Sequence, residues 1–150
     1  MISYDVLHEQ NHRITELSNV LSHLLKDRSL CDTDTCCDLF YQYMDRVNDH
    51  MEMVDTHLYG PLMNHPTKSV NDTAGRFMEG SRELKRIMGQ YVKKWCDQSN
   101  HGIAIGDRYG EFLQETDEMF ELILNRIQKE TERLYPLIRQ VSGDQHHVAA

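Results

Sequence analysis

Three residues carry most of the chemistry that this sequence can offer an interior: His50, Arg126 and Glu130. His50 lies in VNDHMEMVDTHLYGP, residues 47–61, and the other two lie in RIQKETERLYPL, residues 126–137. An imidazole and a carboxylate brought from separate segments are donors that a divalent transition metal accepts. His50 and Glu130 are therefore the candidate metal ligands. Arg126 stands four residues before Glu130, within helical reach, so the three can also close a buried ion-paired network with no metal at all. That network, with Asn11 and Ser81 added, is the second candidate site. Both stretches end on Leu-Tyr with a proline close behind (Leu58, Tyr59 and Pro61; Leu134, Tyr135 and Pro136), as if two halves faced one shared interior.

The elements that must position these residues are long. Proline (3) and glycine (8) are scarce and fall between segments of helical period. The first segment covers residues 4–26, with Ser3 or Asp5 as its N-cap. The polar connection DRSLCDTDT leads to a second segment over 36–62, with Thr35 and Asp38 spaced like a capping box. NHPTKS breaks the chain, and Ser69 with Asp72 caps a third segment over 70–96. SNHGIAIG precedes the fourth, over 107–141, which Gly143 stops; residues 143–150 read as a loose tail. Four long helices with short connections predict one all-α domain over residues 1–142, an antiparallel up-down four-helix bundle.

At about 100° per residue, each helix shows an apolar stripe. The stripes run through Leu7, Ile14, Leu17, Leu21 and Leu24; Phe40, Tyr43, Val47, Met51, Val54 and Leu58; Phe77, Leu84, Met88, Tyr91 and Trp95; and Phe112, Met119, Ile123, Ile127, Leu134, Leu137 and Val141. The polar residues predicted to face inward are Gln10, Asn11, His50, Ser81, Thr116, Arg126 and Glu130, with His57 beside His50 at the border of the core. Glu130 falls in mid-stripe, where a carboxylate is costly unless it is paired or metal-bound.

Composition narrows the function classes. A chain of 150 residues with 39% hydrophobic and 27% charged residues has the material for a real core. Its formal charge of −8 argues against nucleic acid, whose binding rests on Lys and Arg neutralising phosphates. No apolar run approaches the ~20 residues that span a bilayer, and the N-terminus has no secretory signature, so a cytoplasmic protein is expected. Cys31, Cys36, Cys37 and Cys96 show no Cys-x-x-Cys spacing and read as free thiols without an assigned role. No inward Ser/His/Asp or Cys/His set can be drawn, so no enzymatic site is expected.

His50 with Asp55 and Leu58-Tyr59, FMEGSRELKRIMGQYVKKW in the third segment and RIQKETERLYPLI in the fourth resemble, in order and spacing, the hemerythrin-like (HHE) cation-binding family. The resemblance covers most of the chain. It implies an up-down four-helix bundle that holds two irons between its helices through histidines and bridging carboxylates, and that binds or senses oxygen or nitric oxide or handles iron. The ligand set is degenerate here. Asn11 stands at the first ligand position, with His12 one residue off and facing outward. Val54 stands where a carboxylate is expected, with Asp55 displaced. Gly80 and Ser81 stand where histidines are expected, and Arg126 occupies the position of another. His50 and Glu130 alone match and face inward.

Two functions follow from this resemblance. One is a regulatory or protein-interaction module that has lost its metals and needs no cofactor, acting on a protein partner whose identity the sequence does not name. Its acidic surface suits a basic partner, and a homodimer is compatible with it. The alternative is a mono- or dinuclear non-heme iron protein that binds or senses oxygen or nitric oxide. Neither reading involves nucleic acid or a membrane.

Overall fold

The computed structural model describes residues 4–142 and is mostly helical. The chain runs α1 (Tyr4–Leu24), α2 (Arg28–Cys31), α3 (Asp34–His57), α4 (Tyr59–Met63), α5 (Lys68–Trp95), β1 (Cys96–Asp97), β2 (Gly102–Ile103), α6 (Tyr109–Lys129), a π-helical turn (Glu130–Leu134) and α7 (Tyr135–Ser142). The tail assigned to residues 143–150, and Ser3 as a cap, fall outside the described residues. The four long helices contact one another in a closed cycle: α1 against α3, α3 against α5, α5 against α6 and α6 against α1.

Several boundaries differ from the sequence reading, each for a local reason. Asp5 lies in the first turn of α1 rather than ahead of it. The cap of α3 is Thr33, whose hydroxyl accepts from Cys36 N at 3.3 Å, and Thr35 is already inside the helix. The preceding connection holds the extra turn α2, capped by Asp27, whose carboxylate accepts from Ser29 N at 3.0 Å. Thr67 rather than Ser69 precedes α5. The second segment breaks at Leu58, and Pro61 sits in the first turn of α4, where a missing N–H costs nothing. His57, at the frayed end of α3, is exposed and does not border the core.

The connection over 96–103 is a small antiparallel hairpin, with Cys96 opposite Ile103 and Asp97 opposite Gly102. It is tied to α3 by Tyr41, whose hydroxyl donates to Gly102 O at 2.8 Å and whose ring stacks on His101.

The fourth segment holds the main irregularity. Pro136 has no N–H to give to a carbonyl one turn back, and the helix widens just before it. Tyr135 N–H bonds to Glu130 O, five residues back. Leu134 and Tyr135, at the end of the widened turn, are both buried.

The apolar interior forms two clusters. The larger holds Ile14, Leu21, Phe40, Tyr43, Val47, Leu84, Trp95, Phe112 and Ile127. The smaller holds Leu7, Val54, Leu58, Tyr59, Val70, Phe77, Leu134 and Tyr135. Ser18 and Thr116 are buried within the larger cluster, but α1, α3, α5 and the π-helical turn after α6 each place one buried polar residue between a member of one cluster and a member of the other. Asn11 is between Leu7 and Ile14, His50 between Val47 and Val54, Ser81 between Phe77 and Leu84, and Glu130 between Ile127 and Leu134. A polar layer thus divides the core.

Candidate functional site: a buried polar layer

Glu130 is the centre of the layer. It is 2% exposed and receives partners on both oxygens. Oε1 lies 2.7 Å from His50 Nε2 and accepts from the Tyr135 hydroxyl at 3.4 Å, while Oε2 lies 3.3 Å from Arg126 Nε. A carboxylate so supplied has its desolvation offset by charge-assisted hydrogen bonds. The π-helical turn begins at Glu130, and its extra residue brings the Tyr135 side chain onto the same carboxylate five positions later.

His50, also 2% exposed, is held at both ring nitrogens. Nδ1 lies 2.7 Å from Gln10 Oε1, and Gln10 Nε2 donates to Met53 Sδ at 3.3 Å, which sets the orientation of the amide. Each ring nitrogen thus faces a side-chain oxygen. The ring cannot swing without abandoning one of them.

Arg126 spans the layer from core to surface, its side chain 13% exposed. Besides Glu130, it donates through Nη2 to Phe77 O at 2.7 Å and to the Tyr59 hydroxyl, and its guanidinium lies 4.9 Å from the centre of the Phe77 ring. Gly80 makes room for it: a Cβ there would stand 2.8 Å from Arg126 Nη1. Burial pushes the phenols of Tyr59 and Tyr135 above the ordinary tyrosine range, so both serve the layer as neutral hydroxyls.

Asn11 joins the network through Tyr135, donating from Nδ2 to its hydroxyl at 3.1 Å and to Thr131 Oγ1 at 3.5 Å. Asn11 Oδ1 is buried without a partner among the described residues. Ser81 does not join. Its hydroxyl donates to Asp55 Oδ1 at 3.0 Å, and Asp55 in turn holds Lys85, so a second, shallower pair takes the position assigned to Ser81 in the network. Thr116 is also inward but bonds to the Tyr91 hydroxyl at 2.6 Å, away from Glu130.

His50, Arg126, Glu130 and Asn11, which sequence reasoning grouped, are linked by hydrogen bonds and an ion pair through Glu130 and Tyr135, and the two Leu-Tyr tyrosines, which it assigned to packing, take part as well. Their repeated setting beside a polar turn was the available signal: Tyr59 lies against Arg126 and Tyr135 against Glu130, one on each charged partner. Gln10 was placed inward but not assigned to His50, because its amide reaches the ring from another helix.

The donor set does not fit a diiron centre. His50 and Glu130 face each other rather than a common point, both Glu130 oxygens are already engaged, and a guanidinium fills the space on the far side of the carboxylate. His57 and Glu79 are exposed, and Asp55 is committed to Ser81 and Lys85. Among the described residues, no three His, Cys, Asp or Glu side chains converge to hold a metal ion. The four cysteines are free; Cys31, Cys36 and Cys37 are buried, Cys96 is half-buried, and burial pushes Cys36 and Cys96 up to about 11. No helix described is long and apolar enough to cross a membrane. No protein-family model, curated protein or solved structure matches the chain.

Proposed function

We propose that this chain is a hemerythrin-like up-down four-helix bundle in which an ion-paired network stands in place of the metals, and that it works as a cytoplasmic regulatory or protein-interaction module rather than as an enzyme. One observation carries the reading. Arg126 Nε sits 3.3 Å from Glu130 Oε2, so a fixed guanidinium charge supplies the buried carboxylate with the positive partner that a cation would otherwise provide. The polar layer supports it further, since all four long helices contribute to one level between two apolar clusters, the arrangement expected of a bundle built around an internal site.

The function then lies in the surface, and the interior keeps the helices in register. A buried polar network fixes such alignment better than an apolar layer does, because any slip strands a donor or an acceptor. Elemental analysis and an absorption spectrum of untagged protein from iron-supplemented cells test the reading. Metal below a tenth of an atom per chain is the expected result. About two irons per chain, with oxo-bridged bands after exposure to air, would overturn it in favour of a gas-binding or gas-sensing iron protein; one iron per chain would do so in favour of a mononuclear site.

A further inference from the structure

A basic concavity opens directly above the buried layer of this acidic chain. A groove of about 580 Å³ runs between α5 and the continuous rod of α6, the π-helical turn and α7. Its lining is Thr73, Arg76, Phe77 and Gly80 from α5, and Arg126, Lys129, Arg133 and Leu137 from the rod. That is four cations and no carboxylate in a chain whose formal charge is −8.

Three of the four cations are uncommitted. Arg76, Lys129 and Arg133 are exposed, and none forms an ion pair among the described residues; Arg76 reaches only Thr73 Oγ1, at 3.4 Å. Like charges held together without counter-ions repel one another, and a bound anion relieves that cost. The fourth cation, Arg126, is half committed. Nε and Nη2 serve Glu130, Tyr59 and Phe77 O, while Nη1 has no hydrogen-bond partner among the described residues and lies over Gly80, within the groove lining. The floor is apolar, formed by the Phe77 ring and the half-buried Leu137.

We propose that this groove binds a phosphate-bearing ligand with an apolar portion, the phosphate seated on Arg76, Arg126 Nη1 and Arg133 and the apolar portion on Phe77 and Leu137. Phosphate suits this lining better than a single carboxylate. It brings close to two negative charges and three acceptor oxygens to several guanidinium forks, which bind such oxygens two at a time. The proposal stands whether or not the interior ever held a metal. A soluble phosphorylated molecule and a phosphate-bearing lipid headgroup present the same chemistry.

Titration calorimetry of the full chain with phenyl phosphate and with inorganic phosphate, at low salt, tests it. Phenyl phosphate is expected to bind saturably and about tenfold more tightly than inorganic phosphate, the difference being the ring placed on the floor. Arg76→Ala and Arg133→Ala each weaken binding at least tenfold; both side chains are exposed and unpaired, so the variants keep their fold. Lys93→Ala, on an exposed face in the last turn of α5, leaves binding unchanged. Gly80→Ala forces Nη1 away and weakens binding as well, with its melting temperature recorded beside the affinity. Sedimentation with phosphatidic acid vesicles, against phosphatidylcholine alone, identifies the source: retention that Arg133→Ala abolishes assigns a lipid headgroup, and phenyl phosphate binding without retention assigns a soluble ligand. Absence of saturable phenyl phosphate binding at millimolar concentration overturns the proposal. So does an equal loss in Lys93→Ala and Arg133→Ala, which would reduce the effect to diffuse attraction.

Discussion

Replacing Glu130 by glutamine removes the charge at the centre of the layer while keeping its shape. The new amide has one acceptor and one donor end. Turned with its oxygen toward Arg126 Nε, it keeps that bond and offers its N–H to His50 Nε2, which accepts in the tautomer that donates from Nδ1 to Gln10 Oε1. The Tyr135 hydroxyl must turn from donor to acceptor. His50 and Arg126 keep their partners, the Tyr135 hydrogen loses only its long 3.4 Å acceptor, and the main loss is the charge assistance of two hydrogen bonds. A charge-assisted bond contributes about 1.5–3 kcal/mol and a neutral one about 1. The expected destabilisation is therefore about 2 kcal/mol, or about 4–8 °C in melting temperature for a chain of this size. Urea unfolding followed by helical circular dichroism measures it. A loss well above ~3 kcal/mol would mean that Arg126, partly exposed and bonded elsewhere, is nonetheless stranded without its counter-ion. No loss at all would mean that the carboxyl already carries a proton. Either result refutes this account of the layer.

Tyr135→Phe should cost about 1–2 kcal/mol, since it removes the hydroxyl between Glu130 and Asn11 and leaves Asn11 Nδ2 with Thr131 alone; thermal unfolding measures this. Thr33→Ala should cost about 1 kcal/mol by removing the cap of α3, read as a lower urea midpoint with unchanged slope. The buried thiols predict alkaline weakening. Cys36 and Cys96 are held protonated up to about 11, so between pH 9 and 11 the folded chain binds more protons than the unfolded chain, and stability present below pH 9 falls as pH rises through that window. Melting temperatures across it should drop less for Cys36→Ala than for the parent chain. The same protonation makes these thiols slow to react with a disulfide reagent at pH 8 until the chain is unfolded.

The fold was legible where periodicity and burial agree. Most of the four apolar stripes, and Glu130 as the charged residue in the middle of one, follow from helical spacing and reappear as buried positions, while Leu17, Leu24, Leu137 and Val141 at the stripe margins are only partly buried. Capping was less legible because threonines and aspartates crowd the connections. Thr33 and Thr35 are equally good caps on paper, and the choice depends on where α2 delivers the chain. The site was half legible for a related reason. Spacing shows which residues share a face, which placed His50, Arg126 and Glu130 together, but it does not show the depth at which each side chain finds a partner. Ser81 was therefore grouped with Glu130 when Asp55 is its partner, and Tyr59 and Tyr135 were left as packing. The groove was invisible, since Arg76 and Arg133 are distant in sequence and each alone reads as an ordinary surface cation.

The widened turn over Glu130–Leu134 gives chain length a role that no side chain has. An ordinary helix advances about 100° per residue, so one additional residue absorbed without breaking the rod re-indexes everything after it. Tyr135 meets Glu130 because of that count. Alanine at Glu132 or Arg133, whose side chains are exposed and take no part in the layer, would disturb it little, whereas deleting any one residue of 131–133 would restore a regular helix and swing the phenol off the carboxylate. Along this stretch the spacing between residues matters more than their identity.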